Sequence, residues 1–123
     1  MIWIIVAAFI LADVKLNAWL INGGYKIYHW LNAIYRTVFY GGLVWAYGME
    51  WKEVLMFLLG AFFLHSLLFN VGLNYLRQLP IDYLGKDSVL DRLEAKIPWI
   101  VAFVWKVIAA SGFIYGYYNV NLL

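Results

Sequence analysis

Apolar residues follow one another along most of this chain, and polar residues stand between them singly or in short groups. Residues 54–76 and residues 97–118 form the two longest apolar segments, and the second contains one charged residue, Lys106. A helix needs about 20 apolar residues to cross the hydrocarbon of a bilayer. Both segments are therefore predicted to be transmembrane helices.

Two further apolar segments, residues 1–12 and 37–49, are too short to cross alone. To cross, the first must include Asp13 and Lys15, and the second must extend back through Arg36. The alternative is that these two segments are interfacial helices. Interfacial helices usually combine a strongly charged face with low overall hydrophobicity, and neither segment does, so the pattern favours four crossing helices. The expected helices cover approximately residues 1–22, 25–48, 53–76 and 97–118.

The segments between these helices differ in length. Asn22-Gly23-Gly24 and Gly48-Met49-Glu50 predict tight turns, whereas the last connection, residues 77–96, is long. Within it, Ser88 to Asp91 has the pattern of a helix start, and the apolar residues that follow fall on one face. The predicted fold class is an all-α integral membrane protein: a four-transmembrane-helix bundle, with a short amphipathic interfacial helix between the third and fourth helices, in one transmembrane domain of residues 1–123.

Composition supports a membrane protein and excludes several functions. The chain is 66% hydrophobic and only 13% charged, with a mean hydropathy of +0.77, which is too little polar surface for a soluble domain. The net charge of +2 is small and scattered, so nucleic-acid binding is not expected. There is no cysteine, which excludes disulfides and thiolate metal sites. No basic residue precedes the first apolar segment, so we expect a retained helix rather than a signal peptide.

Basic residues predict the orientation. One side of the expected bundle has Lys52 alone, and the other side holds the remaining loop cations. The positive-inside rule then places both termini on the non-cytoplasmic side, and the expected location is a bacterial inner membrane. The cytoplasmic-side cations are Lys26, Arg77, Lys86, Arg92 and Lys96.

Four polar residues are expected to form a layer inside the bundle. With a rise of about 1.5 Å per residue, Asp13, Arg36, His65 and Lys106 fall within a turn or two of one another near mid-membrane. Unpaired charges cost at least a few kcal/mol there, so they should face inward and pair. Asp13 is the only internal acid, and Arg36 is its expected partner. A polar mouth is predicted on the cytoplasmic side of this layer, formed by Lys26, His29, Asn70, Asn74 and Arg77.

The polar layer has a structural and a functional interpretation. It could be a structural ion pair that fixes the register of the helices. It could instead be a site that binds a ligand or a relay that passes protons. Because two cations face one acid, the interior is net positive and favours an anionic group. The leading hypothesis is a non-enzymatic membrane protein that acts as an oligomer or as a subunit of a larger complex, and that binds an anionic lipid headgroup or a partner's acidic side chain.

Two alternatives stay open. The first is a small proton or anion transporter or channel, in which Asp13, His29 and His65 carry protons or an anion. The second is an electron-transfer subunit in which His29 and His65 bind haem b, although His29 is expected about 10 Å nearer the cytoplasmic side. An enzyme is not expected, because no GxSxG, HExxH, P-loop or paired-carboxylate pattern occurs. No dedicated metal site is expected either.

Overall fold

The computed structural model describes residues 1–81, Leu93 and residues 96–120, and in these residues the protein is all-helical. Three of its helices are long and apolar enough to cross a membrane, and the second helix, α2 (His29–Ala46), is not among them. The predicted interfacial helix lies largely outside the described residues. The four helices are α1 (Ile2–Asn22), α2 (His29–Ala46), α3 (Trp51–Leu76) and α4 (Trp99–Tyr118).

Helices α1 and α2 each end close to a glycine that adopts a positive φ angle. Gly24 has φ +77°, and the next backbone amide, of Tyr25, donates to the Leu20 carbonyl at 2.9 Å. Gly48 has φ +57°, and Met49 donates to the Val44 carbonyl at 3.2 Å. This hydrogen bond closes a helix end and turns the chain away. Residues 25–28 are not helical, so α2 begins later than the sequence predicts, and Lys26 precedes it.

Contacts between helices define their relative directions. Trp3 packs on Phe57, with ring centroids 5.4 Å apart, and a methyl group built on Gly72 would lie 3.1 Å from Val14. Helices α1 and α3 therefore run parallel. Phe63 packs on Trp105 with ring centroids 5.3 Å apart, and a methyl group built on Gly116 would lie 3.0 Å from Met56 Sδ, so α4 runs antiparallel to α3.

Helix α2 runs antiparallel to α1. Phe9 stacks on Phe39 with ring centroids 3.8 Å apart, and Asn32 donates to Asn17 Oδ1 at 2.9 Å. None of the α2 residues is fully buried, so long side chains make its contacts with α1 and α3. The four helices thus alternate in direction along the chain.

The bundle has an apolar outer surface and polar residues inside. Trp45 and Val38 are 86% and 69% exposed, while Asp13 and Lys106 are buried. This distribution is the reverse of that of a soluble protein, and it supports a helical bundle in a membrane. An apolar core lies near the N-terminal end of α1 and consists of Ile2, Val6, Ile10, Val14, Phe57 and Ala61.

Candidate functional site

Asp13 occupies the buried stripe of α1, where polar residues continue the spacing of the apolar core. Its side chain has no exposed surface. Oδ1 accepts hydrogen bonds from the Tyr35 hydroxyl and from Asn17 Nδ2, the second at 2.8 Å. Asn17 lies one helical turn further along α1, so it is on the same face as Asp13. A carboxylate that is removed from solvent is thus hydrogen-bonded within its own helix and to α2.

Arg36 forms the ion pair with Asp13 that the sequence predicts. Its Nε lies 2.7 Å from Asp13 Oδ2, and its guanidinium carbon lies 4.8 Å from the centre of the Phe69 ring. The Arg36 side chain is 27% exposed, but its Nη2 atom is buried and has no hydrogen-bond acceptor among the described residues. Arg36 therefore holds Asp13 through one nitrogen and keeps a second donor unused.

His65 lies between Asp13 and Tyr40. Its Nε2 is 2.9 Å from Asp13 Oδ2, although the N–H is not aligned for a hydrogen bond, and its Nδ1 is 2.9 Å from the Tyr40 hydroxyl. A carboxylate can only accept, so the nitrogen that faces Asp13 carries the hydrogen. Nδ1 of the neutral ring is then an acceptor, and the Tyr40 hydroxyl donates to it.

These contacts join α1, α2 and α3 in a single group of hydrogen bonds and ion-pair contacts. From Asn32 to Tyr40 it extends over nine residues of α2, or about 12 Å along the helix axis. At its centre, one acid faces one arginine and one histidine. We call this group the Asp13 cluster, and its members are Asp13, Asn17, Asn32, Tyr35, Arg36, Tyr40 and His65.

Lys106, the fourth residue predicted for the polar layer, lies on α4. It is buried on α4 among Ala102, Ala109 and Ala110. In the described part of the chain, the ion pairs of Asp13 are with Arg36 and His65 and do not include Lys106. Three of the four residues predicted for the polar layer are therefore in direct contact.

The five residues predicted for the mouth differ in their placement. Lys26 and His29 are exposed, Asn70 and Arg77 are partly buried, and Asn74 is buried and donates to the Ile81 carbonyl at 3.0 Å. Within the described residues, neither Lys26 nor His29 forms a hydrogen bond or ion pair with the Asp13 cluster.

Two members of the cluster, Tyr35 and Asn32, are missing from the sequence prediction. His29, which was predicted for the polar mouth, lies on a slightly rotated face of α2. The stripe that contacts α1 and α3 instead contains Asn32, Tyr35, Arg36 and Tyr40. These positions also repeat at intervals of three and four, so the polar pattern of α2 already contained this signal.

The described histidines do not fit the two axial ligands of a haem. Both ring nitrogens of His65 face protein groups, Tyr40 and Asp13, and His29 is exposed at the first residue of α2. An axial ligand needs one ring nitrogen free to bond iron. Among the described residues, no group of three or more histidine, cysteine, aspartate or glutamate side chains could hold a metal ion.

Comparison with protein-family models, curated proteins and solved structures finds no match for this chain.

Proposed function

We propose that this chain is an integral membrane protein in which all four helices cross the bilayer. The directions of the helices support this. If the parallel helices α1 and α3 both cross, the chain must return between them, and α2 is the only helix in residues 23–50. Its 18 residues extend about 27 Å, close to the thickness of the hydrocarbon. Its low hydropathy follows from the polar side chains that face α1 and α3.

Cysteine labelling tests whether α2 crosses. The protein has no native cysteine, so Lys26→Cys and Lys52→Cys each introduce one exposed thiol. Lys26 precedes α2, and Lys52 follows it in the first turn of α3. An impermeant maleimide added outside intact bacterial cells should label Lys52→Cys, and should label Lys26→Cys only after the membrane is opened. Equal labelling of both variants in intact cells would show that α2 does not cross.

We further propose a non-enzymatic role, as an oligomer or a subunit of a larger complex, in which Arg36 binds an anionic lipid headgroup. The observation that carries this proposal is the buried Nη2 of Arg36, which has no acceptor among the described residues while Nε binds Asp13. Guanidinium groups bind carboxylate and phosphate through two parallel N–H groups. The Nη2 group of Arg36 can therefore donate a hydrogen bond to a phosphate oxygen.

The position of Arg36 is compatible with a headgroup. It lies seven residues from the start of α2, which is about 10 Å along the axis. Arginine side chains within membranes reach towards the interface, and the bilayer thins locally around them. The exposed part of the Arg36 side chain gives a lipid access from the bundle surface.

Native mass spectrometry in a mild neutral detergent tests this proposal. Wild-type protein extracted from a bacterial membrane should retain an anionic phospholipid, and Arg36→Gln should lose most of it. Lys52→Gln removes an exposed cation in the first turn of α3, outside the Asp13 cluster, and this variant should retain the lipid. Wild-type protein that carries no anionic lipid, but is bound to a second protein through Arg36, would favour a partner's acidic side chain instead.

A second candidate function is proton transport, which the continuous contacts from Tyr40 through His65 to Asp13 favour. Ionisable side chains inside a membrane commonly form proton relays. Reconstituted liposomes with a pH-sensitive dye inside would acidify faster than protein-free liposomes when a proton gradient is imposed. Asp13→Asn should abolish that difference, and an equal rate with and without wild-type protein would exclude transport.

A further inference from the structure

Two bases compete for one carboxylate oxygen in the Asp13 cluster. Arg36 Nε lies 2.7 Å from Asp13 Oδ2, and His65 Nε2 lies 2.9 Å from the same atom. Arginine is charged at any physiological pH, whereas histidine gains or loses its charge between about pH 5 and pH 8. The charge on His65 therefore decides how many cations this single acid must balance.

We propose that binding of an anion at Arg36 is coupled to protonation of His65. The inference rests on the proposed anion site and adds a regulation to it. With His65 neutral, Asp13 and Arg36 balance each other. With His65 charged, the cluster carries one uncompensated positive charge, which an anionic phosphate would neutralise.

The Tyr40 hydroxyl allows the ring to accept the proton. In the neutral ring, Nδ1 accepts a hydrogen bond from Tyr40, and the hydrogen on Nε2 faces Asp13. A proton from solution adds to Nδ1, and the Tyr40 hydroxyl rotates so that its oxygen accepts from the new N–H. The hydrogen on Nε2 stays in place, so no other group gains or loses a proton.

The charges around His65 favour this coupling. Helix α1 contributes Asp13, and α2 contributes Arg36 with the hydroxyls of Tyr35 and Tyr40. Protonation of His65 therefore adds a second cation beside the one acid of the Asp13 cluster, and a bound anion removes that imbalance.

Coupling between two sites is reciprocal, so it can be measured from both sides. Short-chain phosphatidylglycerol would be titrated into full-length protein in neutral detergent by isothermal titration calorimetry. Its phosphate keeps one negative charge from about pH 5 to pH 8, the range in which histidine titrates. The affinity of the wild-type protein should be at least about fivefold higher near pH 5 than near pH 8. A fivefold change is at the lower end of typical coupling between two sites.

The variants assign this pH dependence to one residue. His65→Gln should bind the lipid with the same affinity at both pH values. His29→Gln removes the other histidine and should keep the wild-type pH dependence. Near neutral pH, wild-type protein should take up part of one proton per bound lipid, as measured from the heat in buffers of different ionisation enthalpy.

The possible failures are distinguishable. If wild-type protein binds equally well at both pH values without proton uptake, or if His65→Gln keeps the pH dependence, the coupling is absent although the anion site stands. If wild-type protein binds no phosphatidylglycerol at either pH, the anion site itself is wrong. Should His65→Gln not fold, the proton uptake of wild-type and of His29→Gln protein decides the question.

Discussion

Arg36 on α2 and Asp13 on α1 form an ion pair in which the acid is entirely buried and Nε lies 2.7 Å from Oδ2. Because no residue of α2 is fully buried, this helix is held against its neighbours by partly buried side chains, among them the Asp13 cluster and the Phe9–Phe39 stack. The pair is therefore expected to matter for assembly of the bundle as well as for binding.

Removing the charge of Asp13 should destabilise the fold. Asp13→Asn leaves Arg36 without its counter-ion, and breaking one partner of a buried pair costs about 3–5 kcal/mol. Unfolding in mixed micelles with increasing SDS, followed by circular dichroism, measures the loss. Lys15→Gln lies two residues away on the exposed face of α1 and serves as the matched control. Equal stability of Asp13→Asn and wild-type protein would show that the pair contributes nothing to the fold.

Neutralising the correct partner should rescue that variant. Asp13→Asn with Arg36→Gln removes both charges and should be more stable than Asp13→Asn alone, because no buried charge is left unpaired. Asp13→Asn with Lys106→Met should give no such recovery, since among the described residues the ion pairs of Asp13 are with Arg36 and His65. The same unfolding assay decides, and the opposite ranking would identify Lys106 as the partner.

The Tyr40 hydroxyl should contribute one hydrogen bond. Tyr40→Phe removes the contact with His65 Nδ1 and keeps the ring, so the expected loss is about 0.5–1.5 kcal/mol. Tyr115→Phe, at an exposed position of α4, should leave the free energy of unfolding unchanged. Indistinguishable stabilities for the two variants would argue against a Tyr40–His65 hydrogen bond.

Gly60 should tolerate no side chain, because it lies where α1 and α4 approach α3. A methyl group there would lie 2.8 Å from Trp3 Cη2 and 3.4 Å from Phe113 Cβ, and overpacking of this kind costs about 1–3 kcal/mol. At Gly112 a methyl group meets nothing within 4 Å. Gly112→Ala should therefore be neutral, or stabilise α4 by up to about 1 kcal/mol. A similar effect of the two variants in thermal unfolding would contradict the packing of α1 on α3.

The helices could be predicted from the sequence because their signals are local. Long apolar segments identify α3 and α4, and the glycines at 24 and 48 end α1 and α2 through their own backbone geometry. The start of α2 was predicted too early. The polar residues near it resemble a continuing helical stripe, whereas the chain leaving Gly24 first passes through four non-helical residues.

The approximate depth of the polar residues could also be predicted, because helical rise is constant. Counting residues from the turns is enough to bring Asp13, Arg36 and His65 to one level. It gives no information on the rotation of each helix about its axis, and rotation decides whether residues at one level touch. For this reason Tyr35 was not expected in the cluster, yet its hydroxyl donates to the carboxylate of Asp13.

The sequence by itself determined an apolar, helical chain with one internal acid and too many internal bases, since composition and periodicity depend only on the order of residues. The tertiary structure alone decided which side chains contact each oxygen of Asp13. It placed Arg36 and His65 on the same oxygen and left Nη2 of Arg36 without an acceptor among the described residues. The physical reason is that hydrogen bonds depend on distances of a few tenths of an ångström between different helices, and these distances follow from how whole faces pack.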